Sequence, residues 1–216
     1  MKPTVLIISG WAHGIEAIHP MGDALADPYD VQLMTGSEVL KTRSIPAADF
    51  IVTGSMGGLL AMELLPARCD KLVLISSTAK FCSAEGYPCG THERILKRMI
   101  AALKRDPETV LNNFYRNVHH PNSFHTFTGV KQPLEDLVEG LEYLLAADVR
   151  DMVPSIRVPA LILHGARDRI IPVGAAEWLS ANMPNGELRI FADDGHALPA
   201  HRFDESMTLI RAFLNP

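Results

Sequence analysis

Asp49-Phe50-Ile51-Val52-Thr53-Gly54-Ser55-Met56-Gly57-Gly58-Leu59-Leu60-Ala61 reads as a strand, a sharp turn and a helix. A serine at such a turn projects its hydroxyl above the sheet from a strained backbone conformation. Small residues must flank it, because strand and helix approach closely there. Gly57 and Gly58 meet that need on the helix side, whereas Thr53 stands where the Gly-x-Ser-x-Gly pattern has its first glycine. The same segment also fits a structural serine in a Gly-rich turn that holds a phosphate at a helix N-terminus. Its surroundings in the chain must decide between the two.

Short runs rich in Val, Ile and Leu recur on both sides of this stretch: Val5–Ser9, Val31–Gly36, Leu72–Ser77, Leu161–Gly165 and Leu188–Ala192. Continuous apolar runs of this length suit strands buried on both faces of a parallel sheet. Helical patterns over Gly58–Leu65, Ala175–Met183 and Asp204–Leu214 alternate with them, the signature of α/β architecture. Between about Thr78 and Ala147 the pattern changes to helices alone. Ile95, Leu96, Met99, Ile100 and Leu103 share one helical face, opposite Arg94, Lys97, Arg98 and Arg105. Asp106-Pro107-Glu108 reads as an N-cap, a first-turn proline and a first-turn acid. Val110, Leu111, Phe114 and Val118 stripe the helix that follows, and Pro133–Ala147 supplies a third. The expectation is an α/β core over 1–77 and 148–216, mostly parallel with about six strands, interrupted by a helical cap over 78–147 that acts as a lid.

A nucleophilic serine needs a base, and the base needs an orienting acid. In sheets carrying such an elbow they follow in the order Ser, acid, His. Leu161-Ile162-Leu163-His164-Gly165-Ala166-Arg167-Asp168 is a strand followed by a loop acid, and Leu188-Arg189-Ile190-Phe191-Ala192-Asp193-Asp194-Gly195-His196 a strand followed by a Gly-His turn. Both partners fall just past strand C-termini, where α/β sheets place their sites. We therefore take Ser55 as nucleophile, Asp168 as orienting acid and His196 as general base. Asp193 and Asp194 rank below Asp168 as turn-shaping residues. His164, His119, His120 and His125 read as packing or surface. For the oxyanion the backbone N–H of Met56, next after the nucleophile, is the first donor expected. Trp11, in the loop Ser9-Gly10-Trp11-Ala12-His13-Gly14, is the second, and its side chain also suits a wall of the acyl pocket.

The chain resembles the pimeloyl-[acyl-carrier protein] methyl ester esterases of biotin synthesis, carboxylesterases of the α/β-hydrolase superfamily. The resemblance rests on Gly10-Trp11, Gly54-Ser55-Met56-Gly57-Gly58, Phe81-Cys82-Ser83-Ala84, Gly140-Leu141-Glu142-Tyr143-Leu144, Asp148-Val149-Arg150 and Gly195-His196-Ala197. It implies a four-helix cap before the acid-bearing strand and hydrolysis of a methyl ester on an acyl chain carried by acyl carrier protein. No metal or organic cofactor is called for. Three departures stand out. Thr53 replaces glycine, Ser9 replaces the histidine that often opens the first loop, and the Trp11–Ser55 interval leaves little room for full helices around Val31–Gly36, with the first antiparallel strands missing. A thioesterase, a carbon–carbon bond hydrolase or a non-catalytic receptor of the same fold are the alternatives.

Bulk properties narrow the remaining classes. The chain has 216 residues, 47% apolar and 21% charged, with a net charge of −5, which is globular composition without the basic surface nucleic acid requires. No apolar run approaches the roughly 20 residues of a membrane span, and Val5–Ile8 is too short for a signal-peptide core. Three cysteines without metal-ligand spacing fit reduced thiols in the cytoplasm. From Lys80 to Lys131 eight Lys/Arg face four acids, a net +4 that leaves −9 for the remainder. Such a stretch either steers an acidic carrier protein or is simply a solvated helix face.

Overall fold

In the computed structural model, which describes residues 2–124 and 131–215, six strands form one all-parallel sheet. They are β1 (Thr4–Ile8), β2 (Asp30–Met34), β3 (Phe50–Gly54), β4 (Lys71–Ile75), β5 (Ala160–Gly165) and β6 (Gly186–Phe191), in the order β2-β1-β3-β4-β5-β6. All six expected strands are present, each displaced by no more than two residues. Alternation along the strands sorts their side chains into two layers. Leu6, Ile8, Ile51, Leu72, Leu74 and Ile162 pack on one face, and Val5, Ile7, Val52, Val73, Leu161 and Leu163 on the other. The outer strands are only half covered, with Ile190 of β6 44% exposed.

Helices cover both faces. α1 (His19–Leu25) is followed after β2 by α2 (Gly36–Thr42) and after β3 by α3 (Met56–Glu63). α1 and α2 have seven residues each, matching the short interval seen in the sequence. Thr35 closes a capping box with Glu38 that starts α2.

Between β4 and β5 lie α4 (Glu93–Leu103), α5 (Pro107–His119) and α6 (Leu134–Ala146), three α-helices among the described residues where the resemblance implies four. Asp106 caps α5 by accepting from the Thr109 N–H at 3.1 Å, with Pro107 at the first position. The expected apolar face of α4 needs one correction: Leu96 and Leu103 are buried, but Ile95 is 57% exposed. At 3.6 residues per turn Leu96 and Leu103 mark the centre of the apolar arc, and Ile95 lies at its far edge.

After β5 come α7 (Val173–Asn182), the one-turn α8 (Leu198–His201) and α9 (Phe203–Leu214). The connection leaves β1 toward β2 and then returns to β3 on the other side. The C-terminal ends of β1 and β3 therefore flank a topological switch point, where such sheets hold their ligands. Ser9-Gly10 and Ser55 stand at those two ends.

Candidate active site

Ser55 has φ 52° and ψ −119°, a backbone conformation that non-glycine residues rarely adopt. What holds it there is close packing. A Cβ on Gly57 would stand 2.6 Å from the Ser9 carbonyl oxygen and 2.8 Å from that of Ile8, so α3 can start against the end of β1 only with glycine at this position. Thr53, the departure from the pattern, is fully buried and donates its hydroxyl to the Val73 carbonyl at 2.9 Å. Its side chain thus reaches toward β4, and its hydroxyl packs against Gly58, where a Cβ would stand 3.0 Å from it.

Asp168 lies in the loop after β5 with a fully buried side chain. Its Oδ1 accepts the N–H groups of Ile170 at 2.7 Å and Ile171 at 2.9 Å, which aims Oδ2 at His196 Nδ1, 2.7 Å away. Burial pushes the carboxyl pKa up, but the electrostatic pull and hydrogen bond of His196, with the Ile171 N–H, outweigh it, so Asp168 ends below its ordinary value. The pair then fixes the histidine tautomer: Nδ1 donates to the carboxylate and Nε2 is left with a free lone pair.

Ser55 and His196 line one cavity of about 410 Å³. Its walls are mainly apolar, with Ile18, Met21 and Ile75 from the core and Leu111, Val118 and Leu137 from α5 and α6. The three residues expected to cooperate are therefore assembled in part by direct contact, His196 with Asp168, and in part by a shared cavity, His196 with Ser55.

Two serines that the sequence reading passed over tie this arrangement together. Ser76 Oγ donates to the His196 carbonyl at 2.8 Å, and Ser77 Oγ donates to the Ser55 carbonyl at 3.0 Å. Hydroxyls at the end of an apolar strand carry no sequence signal of their own. The loop after β1 is braced in a similar way. Ser9 Oγ donates to the His13 carbonyl at 2.7 Å and accepts the Gly36 N–H at 3.3 Å. His13 Nδ1 donates to the Trp11 carbonyl at 2.8 Å, and burial, with the nearby charge of His196, lowers its pKa to about 4. Tyr115 of α5 donates its hydroxyl to the Ala12 carbonyl.

The Trp11 indole is buried, donates to the Leu137 carbonyl at 2.8 Å and meets Phe114 edge-on at 4.6 Å. Its side chain therefore joins the first loop to α5 and α6. Gly140 makes the contact possible, since a Cβ there would sit 2.5 Å from the indole.

The rival residues have other partners. Asp194 accepts from Arg202 Nε at 2.8 Å and Asp193 from Arg167 at 2.7 Å. His119 pairs with His201 at 2.9 Å, joining α5 to α8. The His120 carbonyl packs against Gly195, where a Cβ would collide with it. His125 lies outside the described residues.

An elbow serine at the switch point, with a buried Asp–His pair drawn from the loops after β5 and β6, is the arrangement of an α/β hydrolase. The chain belongs to the alpha/beta hydrolase family, whose model matches residues 5–206. It is an enzyme of the hydrolase class. Among proteins of known name it is similar to the pimeloyl-[acyl-carrier protein] methyl ester esterase of Nitrosomonas europaea, 28% identical over 174 residues covering 74% of this chain and 69% of the relative. The corresponding esterase of Aromatoleum aromaticum is 30% identical over 168 residues, 69% of this chain and 67% of the relative. In fold it is similar to an esterase from Exiguobacterium antarcticum, with a TM-score of 0.85 at 19% identity, covering 98% of this chain and 91% of that one.

Proposed function

We propose that the enzyme is a serine carboxylesterase that cleaves the methyl ester of an acyl chain carried on acyl carrier protein, the reaction after which the Nitrosomonas and Aromatoleum relatives are named. The observation that carries the chemistry is the Asp168–His196 contact at 2.7 Å, delivered to the same cavity as a strained Ser55. His196 Nε2 takes the Ser55 proton as Oγ attacks the ester carbonyl. The tetrahedral oxyanion is held by the backbone N–H groups of Met56, at the start of α3, and Trp11, next to Gly10, which packs directly on Ser55. Losing one such donor typically costs about 3–4 kcal/mol of transition-state stabilisation. Methanol departs with the proton from His196, leaving an acyl-enzyme. Water activated by the same imidazole then frees the acid.

Residues 78–147 form the lid in this reading, because α5 and α6 wall the cavity above Ser55. The cavity's apolar lining suits an aliphatic acyl chain. For the carrier, Arg94 and Arg98 on α4 and Arg105 just after it supply positive charge, and among the described residues no ion pair engages them. Lys97 and Lys104 are partly neutralised by Glu93 and Glu142. Four acids on α6, Glu135, Asp136, Glu139 and Glu142, offset the excess of the preceding stretch, so carrier docking is confined to the α4 side. Free Cys69, Cys82 and Cys89 suit a cytoplasmic setting.

Two measurements test this. A fluorophosphonate should label Ser55, and Ser55→Ala should abolish both labelling and turnover of a short p-nitrophenyl ester. Retained turnover in that variant removes the nucleophile assignment. Purified pimeloyl methyl ester on acyl carrier protein should be hydrolysed faster than the corresponding free methyl ester, and the gene should rescue a biotin-requiring strain lacking its own esterase. Equal rates on both esters would remove the carrier.

A further inference from the structure

His164 is the fifth residue of β5, its side chain is completely buried, and the mechanism above does not use it. Its Nε2 lies 2.9 Å from the Ile171 carbonyl oxygen and 3.4 Å from Asp168 Oδ2. Both neighbours are acceptors, so Nε2 carries the hydrogen. Nδ1 is buried with no hydrogen-bond partner among the described residues. Protonating it would place a full charge in the interior, and burial accordingly lowers the His164 pKa, against the pull of the Asp168 charge. The ring is therefore neutral, with a single N–H directed at the mouth of the 165–171 loop.

A leucine at this position would fill similar space and leave no buried nitrogen unpaired. The histidine is costly by comparison, and what it supplies is that one N–H. It closes the loop onto its own strand through Ile171, whose N–H in turn holds Asp168 Oδ1 at 2.9 Å. It also lies 3.4 Å from Oδ2, the oxygen that His196 Nδ1 engages. The carboxylate is thus held by the Ile170 and Ile171 amides at one oxygen and by His196 at the other, while the His164 N–H holds the loop through Ile171 with its ring 3.4 Å from Oδ2.

We infer that His164 is a positioning residue that sets the aim of Asp168 Oδ2 at His196 Nδ1. The inference rests on the reading of Ser55, His196 and Asp168 as a working triad and extends it by one residue. Without the N–H the loop relaxes and the imidazolium loses alignment with its carboxylate partner. Misplacement of this kind lowers rate without weakening substrate binding.

The test compares His164→Leu, which removes the donor, with His164→Gln, whose amide N–H can stand near Nε2. In His164→Leu, kcat for a p-nitrophenyl ester should fall about 10- to 100-fold at unchanged KM. The acid limb of the kcat/KM profile should move to lower pH, since the protonated base is less stabilised. His164→Gln should restore both. A folded His164→Leu variant with wild-type kcat overturns the inference, as does an acid limb that stays in place or moves upward. Should His164→Leu fail to fold, His164→Asn, too short to reach Asp168, carries the same expectations. The downfield proton resonance of His196 Nδ1–H gives a readout that needs no substrate: it should weaken in His164→Leu and return in His164→Gln. An unlabelled wild-type Ser55 in the fluorophosphonate assay would refute the nucleophile, while that resonance would still judge His164.

Discussion

Replacing Asp168 with asparagine changes two atoms' chemistry and almost no volume, so its effect follows from the bonds already described. The Ile170 and Ile171 N–H groups both donate to Oδ1. The amide oxygen must occupy that place, which puts the NH₂ group where Oδ2 stood. There it confronts the N–H of His196 and, at longer range, that of His164. Donor faces donor. His196 escapes by moving its proton to Nε2, so that Nδ1 accepts from the amide, but Nε2 can then no longer take the proton of Ser55. A triad locked in the wrong tautomer loses about 10⁴-fold in kcat, equivalent to about 5.5 kcal/mol of transition-state stabilisation. The fold should survive, because the loop keeps both Oδ1 bonds. Exchanging the charge-assisted bond to His196 for a neutral one should cost about 1–3 kcal/mol of stability, each kcal/mol lowering Tm by about 2–4 °C in a chain of this size. The assay is steady-state hydrolysis of a p-nitrophenyl ester by Asp168→Asn, with Tm measured on the same preparation. A kcat within tenfold of wild type would refute the reasoning.

Gly57→Ala puts a methyl group against two backbone carbonyls that have nowhere to go. It should lose about 1–3 kcal/mol through overpacking, less the roughly 1 kcal/mol gained from helix propensity, and lower kcat by shifting Ser55; an unchanged melting curve would show that α3 is not pressed against β1. Acid should destabilise the protein through His13. Its folded pKa of about 4 lies below its ordinary 6.5, so as pH falls through that window the unfolded chain takes up a proton that the folded chain refuses, and stability drops until it levels off near pH 4. Urea unfolding at pH 7 and pH 5 should give a smaller loss for His13→Asn than for wild type, and equal losses would mean that His13 titrates normally.

The strands were legible because each is a continuous apolar run that a parallel sheet buries on both sides. The helices between β4 and β5 were legible from period and from one N-cap, Asp106. α1, α2 and α8 left little trace, since one or two turns hold too few apolar positions to show a period. Ile95 misled because a five-residue apolar arc is wider than the surface α4 buries. At the site, the Gly-rich turn and the two post-strand residues stood out because each is an unusual residue at a place where sheets end. Ser76 and Ser77 did not, and neither did the bond from Trp11 to Leu137, because contacts between residues far apart in sequence leave no local pattern. His164 was read as packing, which is true of its ring but leaves out its N–H.

The hydroxyls of Ser76 and Ser77 reach in two directions from consecutive residues at the tip of β4, one to the carbonyl of His196 and the other to that of Ser55. β4 belongs to the middle pair of the sheet, so the gauge between Ser55 and His196 is machined into a strand flanked on both sides. Trimming at the β2 margin, such as the compact first third of this chain, leaves that gauge untouched.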